Sequence, residues 1–593
     1  MLSFPIPAQP SGPNSGTGLC PTELPLISKY SEYGYGNYTY GGPLRIESRY
    51  DIMPDGYGLS KPARLKQFAN FFATADVHMT DKETPNQIIY LQQEDPVYGA
   101  PGTSIYSPVM LYTTHVLDAA MQTVNALHKQ APFDFGICLG DVCNSSQYNE
   151  LRWYIDVMDG KRITPSSGAH LGASTIDYQK PYKAAGLDPS IPWYQVLGNH
   201  DHFWLGSAAV DGDPTVDLRS AFIGSKVWAV GDLLVPNPEH FPCLHDTSAS
   251  FKQPTFHMGV LDGSTPTGTI IGAGAAGSMN PPAVVADANR RSLLRAEWIQ
   301  EFFNSTSSPV GHGFGLVDGS LGSGFACYSF VPKSDIPLKV IVLDDTQSEN
   351  DGSHDIHGHG FLDATRWTWL QKELAAGQAA HQLMIIAAHI PIAVAAIGSE
   401  FEWWESALDP NAALQNAVSL TDMVAVLQNT PNLLLWISGH LHQNTVKAFM
   451  PPVGGVAESG FWEVEVSSLR DFPQQFRTFE IYLNSDYTVS IVTTNVDPAV
   501  ADGSPAAKSR MYAVATQQII QPNQAPNCQN VQLAYGKIPV DTMDPSRPQD
   551  NATDASIVYG SVPGVPYCAS YNAELFKQLS PSMVSVLKKQ FSA

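Results

Sequence analysis

Short apolar runs recur along the chain, separated by stretches whose apolar residues fall at helical spacing. Phe68 to Ala75, Phe135 to Leu139 and Trp193 to Leu197 read as buried strands, and Leu338 to Leu343, Leu383 to Ala388 and Leu433 to Ile437 repeat the pattern further on. Between them, Val109, Val116, Ala120, Val124 and Leu127 predict a helix over about 107–130. Leu151, Tyr154, Ile155 and Met158 share one face of a second helix at Glu150–Met158, and a third is expected at Asp363–Leu374. Beyond these, segments beginning at Trp462, Arg477 and Tyr487 alternate apolar and polar residues, the period of antiparallel strands with two different faces. Strand–helix alternation followed by a run of strands predicts an α/β sandwich of two sheets flanked by helices.

The pattern fails in three places. Residues 1–65 are rich in Gly, Pro and Tyr and read as an arm wrapped on a surface. Residues 202–335 hold Pro236-Asn-Pro, a Gly-rich run from Gly263 to Gly277 and Gly311-His-Gly-Phe-Gly, interrupted by a helical patch at Asp287–Phe303. This reads as a long insertion into a domain spanning 66–500, and its length suits a lid. Residues 501–593 read as a C-terminal extension wrapped on the core, mostly irregular, with short helices at 572–579 and 581–591.

A chain of 593 residues can bury a large core, which fits one elaborated domain with appendages. Its 33 Lys+Arg against 56 Asp+Glu leave a formal net charge of -23, a field that repels nucleic acid and anionic membranes. No apolar run is long enough for a membrane helix, and oligomeric state is not legible. The seven cysteines are too few for a disulfide scaffold. Cys528 and Cys568 could close the tail, while Cys138 reads as a small core residue. Abundant Gly and Pro with 15% charged residues suggest an extracytoplasmic enzyme, periplasmic or secreted, whose leader would precede Met1.

Five of the apolar runs end in residues that ligate metals. They are Asp76-Val-His78, Gly140-Asp141, Gly198-Asn199-His200-Asp201, His389, and Gly439-His440-Leu-His442. Carboxylate and amide oxygens together with imidazole nitrogens suit a pair of divalent or trivalent cations, with Mn, Fe and Zn all compatible. One such motif is weak evidence, but five in order, each after a strand, are a strong signal.

These motifs resemble those of the calcineurin-like metallophosphoesterase superfamily, and the longer block from Gly140 to Gly160 resembles a little-characterised bacterial branch of it. The resemblance implies a four-layer αββα sandwich of two mixed sheets. It also implies a dinuclear phosphoric ester hydrolase, a phosphatase or phosphodiesterase acting on a small phosphoester. Asp76, His78 and His442 would hold one cation, Asn199, His389 and His440 the other, and Asp141 would bridge them. A hydroxide shared by the cations would attack phosphorus in line. His200 would stabilise the phosphoryl group or protonate the leaving oxygen, and Asp201 would orient the His200 imidazole, its alternative being a helix N-cap or turn role. The chain departs from purple acid phosphatases, which have a tyrosine at the place of Asn144 and no histidine at the place of His78. The competing function is a metal-stabilised interaction protein without turnover, against which His200 and Asp201 argue.

Other residues invite bland readings. His354, His357 and His359 suit a polar loop better than a third metal site. His202 and His312 could face a substrate, Cys143 reads as buried packing, and Phe401, Trp403 and Trp404 form either an aromatic rim or simple packing.

Overall fold

The computed structural model describes residues 30–85 apart from 33, 41–45 and 60; 108–206; 208–210; 219; 222–225; 284–349; 358–392; 403; 416–524 apart from 443; and 572–592. It also describes the strand segments Pro5–Pro7, Ile88–Ile89, His257–Asp262, Thr269–Ala275 and Ile557–Tyr559. Cys20, Cys243, Cys528, Cys568, His354, His357, Phe401 and Trp404 lie outside the described residues.

Two seven-stranded mixed sheets form the α/β sandwich expected from the sequence. The elements of the sandwich, in chain order, are β1 (Glu47–Arg49), β2 (Arg64–Thr74), α1 (Thr113–His128), β3 (Phe135–Cys138), α2 (Tyr148–Met158), β4 (Trp193–Gln195) and α3 (Arg295–Glu301). They continue with β5 (Tyr328–Phe330), β6 (Leu338–Val342), α4 (Ala364–Ala379), β7 (Leu383–Ala387), α5 (Leu420–Gln428), β8 (Leu433–Ser438), β9 (Thr445–Phe449) and β10 (Phe461–Glu465). The last are β11 (Phe476–Asn484), β12 (Val489–Val496), α6 (Pro505–Gln524), β13 (Ile557–Tyr559), β14 (Ala573–Lys577) and α7 (Pro581–Gln590). The first sheet runs β1-β14-β12-β11-β2-β3-β4 and the second β5-β6-β7-β8-β10-β9-β13.

The layering follows from side-chain alternation, since successive residues of a strand point to opposite faces. Val340, Val342, Ile385, Leu435 and Ile437 share the central core with Phe71, Ile137, Ile481 and Ile491 of the first sheet. Their neighbours Ile341, Ile386 and Trp436 face outward against Leu370 and Leu374 of α4 and Met423 and Leu427 of α5. On the other side, Leu117, Ala120, Leu151 and Tyr154 of α1 and α2 join the core around the first sheet. The sheets are tied directly where the Trp462 indole donates to the Phe576 carbonyl, 3.0 Å away.

Several segments differ from expectation. The 572–579 stretch is not a helix. Ala573-Glu-Leu-Phe-Lys is a fully buried strand paired in parallel with β1 and antiparallel with β12. Glu, Leu and Lys favour helix locally, but two waiting strands satisfy its backbone on both sides and outweigh that preference. Nor is the start of the tail irregular: Pro505–Gln524 is a twenty-residue helix whose first turns bury Tyr512, Val514 and Ala515 against Tyr30, Tyr35 and Tyr112. Within the 202–335 range, only Arg295–Glu301 of the helical patch is α-helical, and Trp298, Phe302, Phe314 and Tyr328 pack into the central core. That portion is part of the scaffold, with Tyr328–Phe330 an edge strand of the second sheet. Among the described residues, no helix is long and apolar enough to cross a membrane.

Candidate metal centre

β2, β3 and β4 run parallel in one sheet and β6, β7, β8 and β10 run parallel in the other. Parallel strands send their carboxyl ends to one edge, where open α/β sheets commonly bind ligands. Asp76, Asp141 and Asn199 follow β2, β3 and β4, while His389 and His440 follow β7 and β8. The loops interlock through their backbones: Asp76 N–H donates to the Gly140 carbonyl (3.2 Å), His78 N–H to that of Asp141 (3.0 Å), and Gly439 N–H to that of His389 (3.0 Å).

All seven side chains read from the motifs as candidate ligands meet at this edge. His78 Nε2 lies 3.0 Å from His442 Nε2, and His442 Nε2 lies 3.4 Å from Asp76 Oδ1. His389 Nε2 lies 2.9 Å from Asn199 Oδ1, 3.3 Å from His440 Nδ1 and 3.2 Å from Asp141 Oδ2. The same Asp141 oxygen is 3.7 Å from His78 Nε2, so one carboxylate faces both groups. Asp76, His78, Asp141, Asn199, His389 and His442 are buried, and His440 and His200 are partly exposed.

The backbone is strained here. Asp76, His78, Asp141, His440 and His442 all have φ between 46° and 75°, a left-handed region that non-glycine residues seldom adopt. Such strain clusters at functional sites because surrounding structure must hold it. The glycines serve close approach: a Cβ on Gly198 would collide with the Asp141 carboxylate, and one on Gly439 with that of Asp76.

The donor pattern shows why cations fit. His389 Nδ1 faces the Leu139 carbonyl at 2.8 Å, which can only accept, so Nδ1 carries the proton. Its Nε2 then turns a lone pair toward Asp141 and toward Asn199 Oδ1, whose own amide N–H₂ is spent on the Gly206 carbonyl (3.0 Å). His442 repeats the arrangement. Its Nδ1 meets Asp471 Oδ2 at 2.8 Å, leaving Nε2 toward Asp76 and His78. Lone pairs facing lone pairs in a buried site repel unless something positive lies among them. Protons are one answer: burial opposes charging, but Asp141 and Asp76 outweigh it and hold His389 up at about 10, and Asp76 with Asp471 holds His442 at about 9. His78, by contrast, is driven well below the usual imidazole range by burial and by its neighbours His200 and His442. Metal cations are the other answer, and three overlapping groups have the spacing to hold them: Asp76 with His78 and His442, His78 with Asp141 and His200, and Asp141 with His389 and His440.

His200 lies beside this cluster, its ring edge-on to His78 with centroids 4.5 Å apart. Its Nδ1 is 2.7 Å from the Asn144 carbonyl, and burial pushes its pKa down to about 4 against the pull of Asp141. The expected role of Asp201 needs correction. Its carboxylate does not touch the His200 ring; it accepts from the backbone N–H groups of Asp141, Val142, Cys143 and Gly198 at 2.9–3.0 Å. The reason is local geometry. Asn199–Asp201 is a 3₁₀ turn, in which adjacent side chains point about 120° apart. Asp201 therefore clamps the Gly140-Asp141 loop, and its own pKa is raised to about 8 by burial and by Asp141.

Three residues absent from the motif reading support the centre. Asp471 holds His442, Arg470 donates from Nη1 to Asn144 Oδ1 at 3.2 Å, and Asp345 accepts from the backbone N–H of His389 at 3.2 Å. Asp345 comes three residues after the end of β6, and this place just beyond an apolar run is the one sequence signal that points to it. Other candidates are accounted for by packing. His202 is buried between Glu349 (2.6 Å) and Thr346 (3.0 Å), and His312 stacks on Trp193 with centroids 3.5 Å apart. Cys143 is buried, with its thiol pushed well above its usual pKa by burial and Asp201. The Trp403 indole donates to the Pro391 carbonyl at 2.6 Å, and His359 is buried.

Neither a protein-family model nor a curated protein matches the chain. Among solved structures, a dimetal phosphatase from Danio rerio matches 73% of this chain and 98% of its own, at 13% identity and a TM-score of 0.33. That likeness is loose in shape and sparse in sequence. The chemistry has to come from the side chains themselves.

Proposed function

We propose that the chain is a phosphoric ester hydrolase working with a pair of metal cations. The observation that carries this reading is the Asp141 carboxylate, one oxygen of which faces His78 on one side and His389 on the other. Asp76, His78 and His442 form the donor set for one cation, and Asn199, His389 and His440 for the second. When bound, such a pair supplies Lewis acidity toward the phosphoryl oxygens and lowers the pKa of water toward neutrality.

The protein's own groups do the rest. Asp141 sets the spacing between the two donor sets and orients His200 through its backbone, accepting from His200 N–H at 2.8 Å. In hydrolysis the water oxygen bonds to phosphorus, the ester P–O bond breaks, and the departing oxygen needs a proton. His200 is placed to give it. Because its Nδ1 proton is committed to Asn144, donation from Nε2 requires the charged ring, which the nearby negative charge of a bound phosphoryl group favours. General acid help of this kind is worth about 10²–10⁴ in rate. The net charge of -23 disfavours long polyanions, so a small ester is the better substrate class.

The test is a turnover screen of the purified chain, with Mn, Fe or Zn added, over aryl monoesters, bis-aryl diesters and nucleotides. Turnover of at least one class, lost on chelation and restored by metal, supports the reading. Two bound metals with no turnover on any of them would sink it.

A further inference from the structure

We propose that the segment Ser467–Asp471, which follows β10, is a sixth positioning strip of the centre. Asp471 orients His442, and Arg470 holds the side chain of Asn144, the residue whose main-chain carbonyl meets His200. The inference rests on the metal-centre reading above.

β10 runs parallel to β8, so its carboxyl end arrives at the same edge as the candidate ligands. There the chain pairs with the first motif: Ala75 and Ser468 form a parallel bridge, the Ser468 hydroxyl donates to the Asp76 carbonyl at 2.7 Å, and Leu469 N–H donates to that of Ala75 at 3.2 Å. Ser468 Oγ also accepts from the backbone N–H groups of Arg470 (2.8 Å) and Asp471 (3.2 Å), folding them into a tight turn. The turn aims two buried charged side chains in different directions. Asp471 Oδ2 meets His442 Nδ1 at 2.8 Å, and Arg470 Nη1 meets Asn144 Oδ1 at 3.2 Å. The main-chain carbonyl of the same Asn144 receives His200 Nδ1. Gln474 braces the turn by donating to the Arg470 carbonyl and to Ser509 of α6, both at 2.9 Å.

This strip touches three motifs distant in sequence, which a packing role does not require. A carboxylate on the far nitrogen of a ligating histidine fixes its tautomer and raises its basicity, and losing it typically weakens metal binding about 10–100-fold. The guanidinium holds the Asn144 side chain, and the main-chain carbonyl of the same residue locates the His200 ring.

The experiment uses the full chain, stripped of metal and titrated with cobalt(II), whose visible bands report its ligands. Asp471→Asn should bind one of its two ions about 10–100-fold less tightly, with Asp471→Glu recovering part of the loss. Arg470→Gln should keep both ions with an unchanged spectrum while kcat on an aryl phosphate falls about tenfold and KM stays within twofold. An Asp471→Asn chain that titrates like the unmodified chain, or an Arg470→Gln chain with unchanged kcat, would overturn the proposal alone. Absence of cobalt uptake by the unmodified chain would overturn it together with the reading on which it rests.

Discussion

Two buried polar clusters lie side by side in this molecule, and they differ in how their inward-facing atoms are matched. In the one around Asp81, acceptors meet donors. Asp81 Oδ1 receives Glu83 N–H (3.1 Å) and the Ser167 hydroxyl (2.8 Å), and Oδ2 receives Asn149 Nδ2 (2.7 Å) and Arg290 Nε (3.2 Å). Glu150 likewise takes Asp81 N–H (3.0 Å) and Ser145 N–H (2.8 Å). In the one around Asp141, carboxylate oxygens take backbone N–H groups from His200 and His440, but acceptors also meet acceptors: His389 Nε2 faces Asn199 Oδ1 at 2.9 Å and His442 Nε2 faces Asp76 Oδ1 at 3.4 Å. A buried cluster whose acceptors are matched holds a fold together. A cluster whose acceptors are turned inward, on strained backbone, is arranged for a cation.

The sharpest way to break this contrast is Asp141→Asn. It removes the negative charge that both donor sets share, so we expect metal content well below two ions per chain and hydrolysis lower by roughly 10³-fold, the equivalent of about 4 kcal/mol of transition-state stabilisation. Full activity with two ions would show that the carboxylate is not shared. Asp81→Ala should do the converse. It leaves Arg290 as a buried, uncompensated charge and should cost about 3–5 kcal/mol of stability in urea unfolding, while the folded chain still binds its metals. If Asp81→Ala instead loses metal at unchanged stability, the two clusters are not distinct in kind.

Smaller changes sharpen the picture. His200→Asn should keep both ions and lower kcat about 10²-fold; loss of an ion in that variant would make His200 a ligand, a role its distances to His78 and Asp141 also permit. Cys143→Ala should have the least effect, under about 1.5 kcal/mol in stability, because the buried thiol behaves as a small apolar group. Elemental analysis of that variant should still find both ions.

Much of the centre was legible in the sequence because each motif sits where an apolar run stops, and parallel strands bring such ends together. The two-sheet architecture was legible for the same reason. What stayed hidden depends on three-dimensional neighbours. Asp471 and Arg470 carry no metal-ligand spacing of their own, and only the parallel placement of β10 beside β8 brings them to the site. For Asp201, adjacency to His200 favours contact with the ring over a turn role, whereas a 3₁₀ turn separates adjacent side chains. Ala573–Lys577 looks helical in sequence because five residues of mixed propensity reveal nothing of the two strands that flank them.

The most direct measurement is anomalous scattering, at the Mn, Fe and Zn absorption edges, from crystals of the metal-loaded chain. Two ions about 3.5–4 Å apart, with an Asp141 oxygen on both, are predicted. One ion, or none, with the seven side chains in their present places, would contradict the account.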